Sequence, residues 1–156
     1  MGLFMPYHAG IVVRDLTAAV DDLQDRLGYT FNPPTDVRVH EVEDRISGDT
    51  GPIGMRVTYS REGPFRLELI EAVGSGVYAE ASRGLHHLGV WEADPPARLT
   101  ALEAAGDPVD AVFRQRDGAI SVIYARIAAV PDTRVEYVNS AQRARLERWF
   151  DTGVLA

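Results

Sequence analysis

The sequence predicts an α+β chain built from two tandem copies of one module, each running strand, helix, strand, strand, strand. Three observations carry this. First, the alternating strand-like run Phe65–Val73 and the run Leu85–Trp91 flank a Gly/Ser/Ala-rich connector, so one module ends where the next begins. Second, His8-Ala-Gly-Ile-Val reappears as His87-Leu-Gly-Val-Trp, 79 positions later. Third, the glycines that end the two helical stretches, Gly28 and Gly106, lie almost the same distance apart, and each module closes on a strand carrying a glutamate, Glu68 or Glu136. The glutamates are closer together than the histidines, so the first module is the longer, and the polar stretch 44–53 accounts for the difference. Repeats of this kind point to duplication of one folding unit.

The elements follow in order. Tyr7–Val13 reads as a strand with His8, Gly10 and Val12 on one face and Ile11 and Val13 on the other, because strand side chains alternate. Asp15 is placed to cap a helix whose apolar stripe is Leu16, Val20, Leu23 and Leu27, and Gly28 stops it. Thr30–Asn32 starts a short extended piece before the Pro33-Pro34 break. Val37–Val42 alternates as a strand, 44–53 is expected to be a loop, and Gly54–Ser60 is expected to be the next strand, followed by a turn at 61–64. In the second module, Pro95 or Pro96 opens a helix, Leu99 and Leu102 mark its apolar side and Gly106 ends it. Val109–Phe113, Ala119–Ile127 and Thr133–Asn139 are strand-like, with a turn at Arg116-Asp117-Gly118. Residues 141–150 form a short closing helix. The expected division is therefore 1–80, 81–140 and a helical extension at 141–156, within a single structural domain.

Composition narrows the function. The chain has 156 residues, 46% hydrophobic and 25% charged, as in a soluble globular protein. A net charge of −7 argues against nucleic-acid binding. There is no cysteine, which removes disulfides, thiolate metal sites and a thiol nucleophile together. The N-terminal stretch lacks a signal-peptide pattern, and Pro6 stands where a myristoylation signal needs Ser or Thr. No apolar run is long enough to span a bilayer. The expectation is a cytoplasmic protein with a small-molecule substrate.

The repeat also points to a site. In all four histidine- or glutamate-bearing strands the apolar residues (Ile11/Val13, Leu67/Leu69, Leu88/Val90, Val135/Tyr137) lie on the opposite face, where the helices must pack. His8, Glu68, His87 and Glu136 are left on the uncovered, concave face. Two modules related by a pseudo-twofold axis would bring two imidazoles and two carboxylates to one point. Such a set suits a divalent ion: Zn, Ni, Co, Mn or Fe(II). Glu136 or Glu68 is the expected proton carrier. Arg66 and Arg134 share faces with these glutamates and are candidate anchors for a substrate carboxylate or phosphate. Trp91, on the His87 side of its strand, is a candidate pocket wall. Alternation puts His86 on the opposite face from His87, in a structural role, and leaves His40 at the surface or the pocket rim.

HAGIVVRDLTAAVDDLQDRLGY, LELIE, GLHHLGVW and RVEYV together resemble the vicinal oxygen chelate superfamily, which includes glyoxalase I, methylmalonyl-CoA epimerase, extradiol dioxygenases and the fosfomycin- and bleomycin-resistance proteins. The resemblance covers residues 7–139 and is greatest to the glyoxalase and epimerase branch. It implies two βαβββ modules in a mixed, partly open β-barrel, metal ligands at His8, Glu68, His87 and Glu136, and a homodimer. Epimerases of this group often carry Gln where Glu68 stands, so the set leans towards the glyoxalase type. GVWEADPP departs from the usual helix entry of the second module. The activity implied is a metal-dependent lyase, isomerase or epimerase that abstracts a proton next to a carbonyl. The alternatives are an Fe(II)-dependent extradiol-type dioxygenase and a metal-free antibiotic-binding protein.

Overall fold

The computed structural model describes residues 2–127 and 129–156. The first module comprises β1 (His8–Val13), α1 (Leu16–Leu27), β2 (Thr35–Asp44), β3 (Thr50–Tyr59) and β4 (Arg66–Glu71). The second comprises β5 (Gly84–Glu92), α2 (Pro95–Ala105), β6 (Val109–Arg114), β7 (Ile120–Ile127) and β8 (Val130–Asn139). A helix α3 (Arg143–Thr152) follows. Local chemistry sets the helix ends. Asp15 Oδ1 accepts from Ala18 N at 2.9 Å, and Asp94 Oδ1 accepts from Ala97 N at 3.1 Å, so each module's helix begins on an aspartate cap. Gly28 and Gly106 both take the left-handed conformation, φ 74°, that ends a helix at little steric cost.

The strands run β1-β4-β3-β2-β6-β7-β8-β5 and return to β1, a closed mixed barrel in which β1/β4 and β5/β8 are parallel. The order in one module mirrors that in the other. The two junctions between modules differ. β1 pairs with β5 from His8 to Val12, whereas β2 pairs with β6 only over Glu41–Asp44. β6 ends at Arg114, opposite Glu41, so residues 35–40 of β2 run on past its end; the strand order closes, where the resemblance implied a partly open barrel.

Two apolar layers sit outside the barrel. Leu16, Phe31 and Leu69 pack under α1 with Ile11, Val13 and Leu67, while Leu102, Val109, Val112 and Ile123 pack under α2 with Tyr137. Leu27, the last member of the α1 stripe, is exposed. The third cluster fills the barrel and is rich in aromatics, with Tyr59, Tyr78, Phe113, Tyr124, Trp149 and Phe150. β2 runs to Asp44 and β3 starts at Thr50 rather than Gly54, so 45–49 remains the turn and half of the expected loop is strand. Over this stretch β3 pairs with β2 alone and meets β4 only at Val57–Tyr59, so Pro52 lies where a missing N–H is tolerated. Residues 30–32 contribute a single bridge, Phe31 to Ser60. Among the described residues no helix is long and apolar enough to cross a membrane.

Candidate metal centre

Strand register builds the centre from two equivalent rungs. Glu68 of β4 lies beside Gly10 of β1, which lies opposite His87 of β5, which lies beside Arg134 of β8. The second rung repeats this order from the other end: Glu136, Gly89, His8, Arg66. Each rung thus carries Glu, Gly, His and Arg on one face, and the two imidazoles cross over each other's glycine. His8 and His87 are fully buried, and Glu68 and Glu136 are each 6% exposed.

The four side chains converge. His8 Nε2 lies 2.9 Å from His87 Nε2. It is 3.0 Å from Glu136 Oε2 and 3.3 Å from Glu68 Oε2. His87 Nε2 is 3.0 Å from Glu68 Oε2 and 3.5 Å from Glu136 Oε2. One ligand atom from each residue lies within 4.8 Å of every other. All four come from one chain. These separations fit a shared divalent ion: two donors each about 2.1 Å from one centre are about 3.0 Å apart at a right angle and about 3.4 Å at the tetrahedral angle. Glu68 Oε2 makes no hydrogen bond although two imidazole nitrogens are near it, as expected of atoms that face a common point.

The outer partners keep the same symmetry. Tyr59 of β3 sits across from Glu68 and donates its hydroxyl to Glu68 Oε1; Tyr124 of β7 sits across from Glu136 and donates to Glu136 Oε1 at 2.8 Å. Burial first, and the neighbouring carboxylates second, hold both phenols well above their usual pKa, so they stay protonated donors. Burial pulls the His8 imidazole down, but the carboxylates of Glu136 and Glu68 outweigh it and lift it to about 9. Burial works against the charge on Glu68 too, yet His8 and His87 hold it well below the usual carboxylate range. Without a metal the centre therefore retains a proton on His8.

His86 departs from its expected place. The register between β1 and β5 slips after Gly10, which pairs with His87 while Ile11 pairs with Leu85. His86 is the extra residue of a β-bulge, and alternation fails there. Its Nδ1 lies 2.9 Å from His87 Nδ1 and its Nε2 lies 2.8 Å from the Val77 carbonyl. Burial and the nearby His87 and Arg134 lower its pKa to about 3, so it is neutral. Its Nε2–H must donate to the carbonyl. Its Nδ1 then accepts from His87 Nδ1–H, and the His87 Nε2 lone pair faces the centre.

Glu68 and Glu136 line a chamber of about 760 Å³ that reaches the place where β2 runs on past the end of β6. Tyr7 and Trp149 line it as well, and neither the Tyr7 hydroxyl nor Trp149 Nε1 has a hydrogen-bond partner among the described residues. The α3 helix thus supplies part of the wall, which sequence reasoning missed. His40 is exposed and stands at the mouth.

The three expected substrate contacts lie elsewhere. Arg66 donates to the carbonyls of Ser60 and Arg61, lies 3.3 Å from Asp151 and covers the Phe150 ring. Arg134 pairs with buried Asp110 at 2.7 Å. Neither lines the chamber, because acidic and carbonyl partners at the rung ends hold both. Trp91 stacks flat on Tyr7, centroids 4.0 Å apart, under the Arg143 guanidinium. Tyr7, and not Trp91, lines the chamber.

Comparison with known proteins agrees with this architecture. The profile of the Glyoxalase/Bleomycin resistance protein/Dioxygenase superfamily matches residues 7–124. No curated protein matches the chain significantly. Among solved structures, a hypothetical protein from Bacillus halodurans C-125 aligns with a TM-score of 0.58 at 14% identity, over 88% of this chain and 95% of that one. Streptomyces coelicolor methylmalonyl-CoA epimerase, in complex with 2-nitronate-propionyl-CoA, gives 0.57 at 21% identity, over 90% and 96%. The Mycobacterium tuberculosis methylmalonyl-CoA epimerase gives 0.54 at 20% identity, over 86% of each chain. At these identities the likeness is one of fold.

Proposed function

We propose that this chain, which belongs to the glyoxalase/bleomycin resistance/dioxygenase superfamily, is a metal-dependent enzyme that moves a proton on the carbon next to a carbonyl. The reaction is of the glyoxalase-like lyase, isomerase or epimerase kind. The observation that carries this reading is the symmetric set His8, Glu68, His87 and Glu136, whose two carboxylates reach the wall of the chamber.

His8 and His87 would hold the ion through Nε2, with Glu68 and Glu136 contributing Oε2. Zn, Ni, Co, Mn and Fe(II) all suit two nitrogens and two oxygens. When bound, the ion supplies Lewis acidity that offsets negative charge developing on the substrate oxygen. The protein supplies the rest. Glu68 and Glu136 stand on opposite strands, so one carboxylate can take the proton from one side of a planar carbon and the other can return it. The Tyr59 and Tyr124 hydroxyls hold the far carboxylate oxygens, fixing which oxygen faces the chamber. Tyr59, Tyr78, Phe113 and Trp149 give the chamber an aromatic wall. A ring-cleaving dioxygenase centre needs two His and one carboxylate, and the fourth donor, Glu68, separates the present set from it. A homodimer is part of this reading and leaves the centre intact, since one chain provides all four residues.

The test is α-proton exchange in D₂O, followed by NMR, on a panel comprising a 2-oxoaldehyde hemithioacetal and a 2-substituted malonyl thioester. Metal-dependent exchange that Glu136→Gln or Glu68→Gln abolishes is expected. Stoichiometric metal with no exchange on any carbon acid would overturn the reading.

A further inference from the structure

The mouth of the chamber has a chemistry that proton transfer at the centre does not use. Where β2 runs on past the end of β6, Arg38 projects from β2, Arg114 ends β6 and Arg116 follows in the turn, and all three line the chamber. Between them and the centre the walls are largely apolar, with Val37, Val39, Val57, Phe113 and Leu146. Arg38 and Arg116 are exposed and have no ion-pair partner among the described residues. Arg114 makes only long approaches, 3.9 Å to Glu41 and 3.8 Å to Glu43. Elsewhere Arg14, Arg45, Arg98 and Arg134 each meet a carboxylate within 2.9 Å, whereas Arg61, Arg145 and Arg148 make no ion pair among the described residues; Arg145, which also lines the chamber, donates to the Ala156 carbonyl. Apart from the centre, the acidic residue on the lining is Asp36, whose side chain is 90% exposed and lies 4.0 Å from Arg56.

A chain of net charge −7 has carboxylates enough to neutralise two more arginines. Arg38 and Arg116, two cations without an ion-pair partner on the lining of one chamber, offer a place for an anion from outside. Guanidinium groups bind carboxylate and phosphate through paired, charge-assisted hydrogen bonds. We propose that the chamber takes a two-ended substrate, its reacting carbonyl at the His/Glu centre and an anionic group, carboxylate or phosphate, on Arg38 and Arg116 at the mouth. This rests on the reading of the centre as the place of reaction. The chamber, about 760 Å³, is of the size that encloses a drug-sized molecule, so both ends can be engaged at once. A field of positive sign at the mouth of a negative protein would also draw such a substrate in by its charged end.

Calorimetric titration with three amphipathic probes, hexanoate, hexyl phosphate and hexanamide, tests this on the full chain, as purified and after chelator treatment. At least one anion is expected to bind about tenfold more tightly than the neutral amide, alike with and without metal. The tighter of the two anions identifies the group as carboxylate or phosphate. Arg38→Gln/Arg116→Gln, two surface changes that leave the barrel core untouched, is expected to remove the preference. Equal binding of the amide, no binding of either anion, a preference that survives the double variant, or one that chelation abolishes would each overturn the proposal. Proton exchange can fail while this titration succeeds, because the titration reads binding without metal or turnover.

Discussion

The imidazole of His87 occupies the space that a side chain on Gly10 would fill. A Cβ built on Gly10 would overlap the His87 ring, and one built on Gly89 would overlap the ring of His8. Neither glycine has a positive φ, so the requirement is for space and not for backbone freedom. Gly10→Ala and Gly89→Ala should each push a buried imidazole off its line to the centre. We expect a loss of about 1–3 kcal/mol in unfolding free energy from overpacking. Divalent-metal affinity, read by competition with a chromogenic chelator, should fall with it. Full metal affinity in Gly10→Ala would show that the ring has another place to go.

His86 gives a second test of the centre that leaves all four candidate ligands in place. Its hydrogen bond to His87 and its anchor on the Val77 carbonyl fix the tautomer in which His87 Nε2 carries the free lone pair. Loss of a partner of this kind usually costs about 10–100-fold in metal affinity. His86→Ala should show that loss. His8 has no equivalent partner, since its Nδ1 is buried without one, so its affinity contribution has no comparable relay to lose. Unchanged metal affinity in a folded His86→Ala protein would sink this account of the relay.

The quartet was legible because duplication wrote it twice. His8 and His87, and Glu68 and Glu136, sit at matching places in alternating strands, and alternation alone put them on one face. The same rule failed at His86, where one extra residue in β5 turns a side chain through the sheet; no pattern of apolar residues records a bulge of one. Alternation also placed Arg66 and Arg134 on the correct face but not at the chamber. Their destinations depend on Asp151 and Asp110, which lie far away in sequence and arrive only with the fold. The amphipathic character of α3 could be read from Leu146, Trp149 and Phe150. The surface that receives them could not, because it combines β3 with the 29–34 segment.

Opposing titrations should shape the stability of the chelator-treated protein. His86 is held neutral, its pKa lowered from 6.5 to about 3, so between those values the unfolded chain binds a proton that the folded chain refuses. Stability therefore rises with pH across that interval. His8 is raised from 6.5 to about 9, so between those values the folded chain holds the extra proton and stability falls as pH rises. The depressed pKa of Glu68 adds to the acid-side loss. Urea midpoints measured from pH 4 to pH 10 should peak near pH 6.5, and saturating metal, which displaces the His8 proton, should flatten the alkaline fall. Metal-free stability that climbs from pH 7 to pH 9 would contradict the charge state assigned to His8.

The α3 helix should be coupled to the centre through Tyr59. Asn32 Nδ2 donates to the carbonyls of Trp149 at 3.3 Å and Phe150 at 3.0 Å, tying the helix to the barrel. The Trp149 and Phe150 rings lie 5.1 and 4.5 Å from the Tyr59 ring, and Tyr59 holds Glu68. Phe150→Ala removes a buried aromatic and should cost about 3–5 kcal/mol of unfolding free energy. Asn32→Ala leaves two buried carbonyls without this donor and should cost about 1–3 kcal/mol. Tyr59→Phe isolates the link to the metal: it keeps the ring that α3 packs on and deletes the hydroxyl. It should leave stability closer to wild type than Phe150→Ala does, yet weaken metal binding, because Glu68 is then free to turn. If Tyr59→Phe and wild type bind metal alike while Phe150→Ala binds it poorly, the helix acts through general packing and not through the hydroxyl.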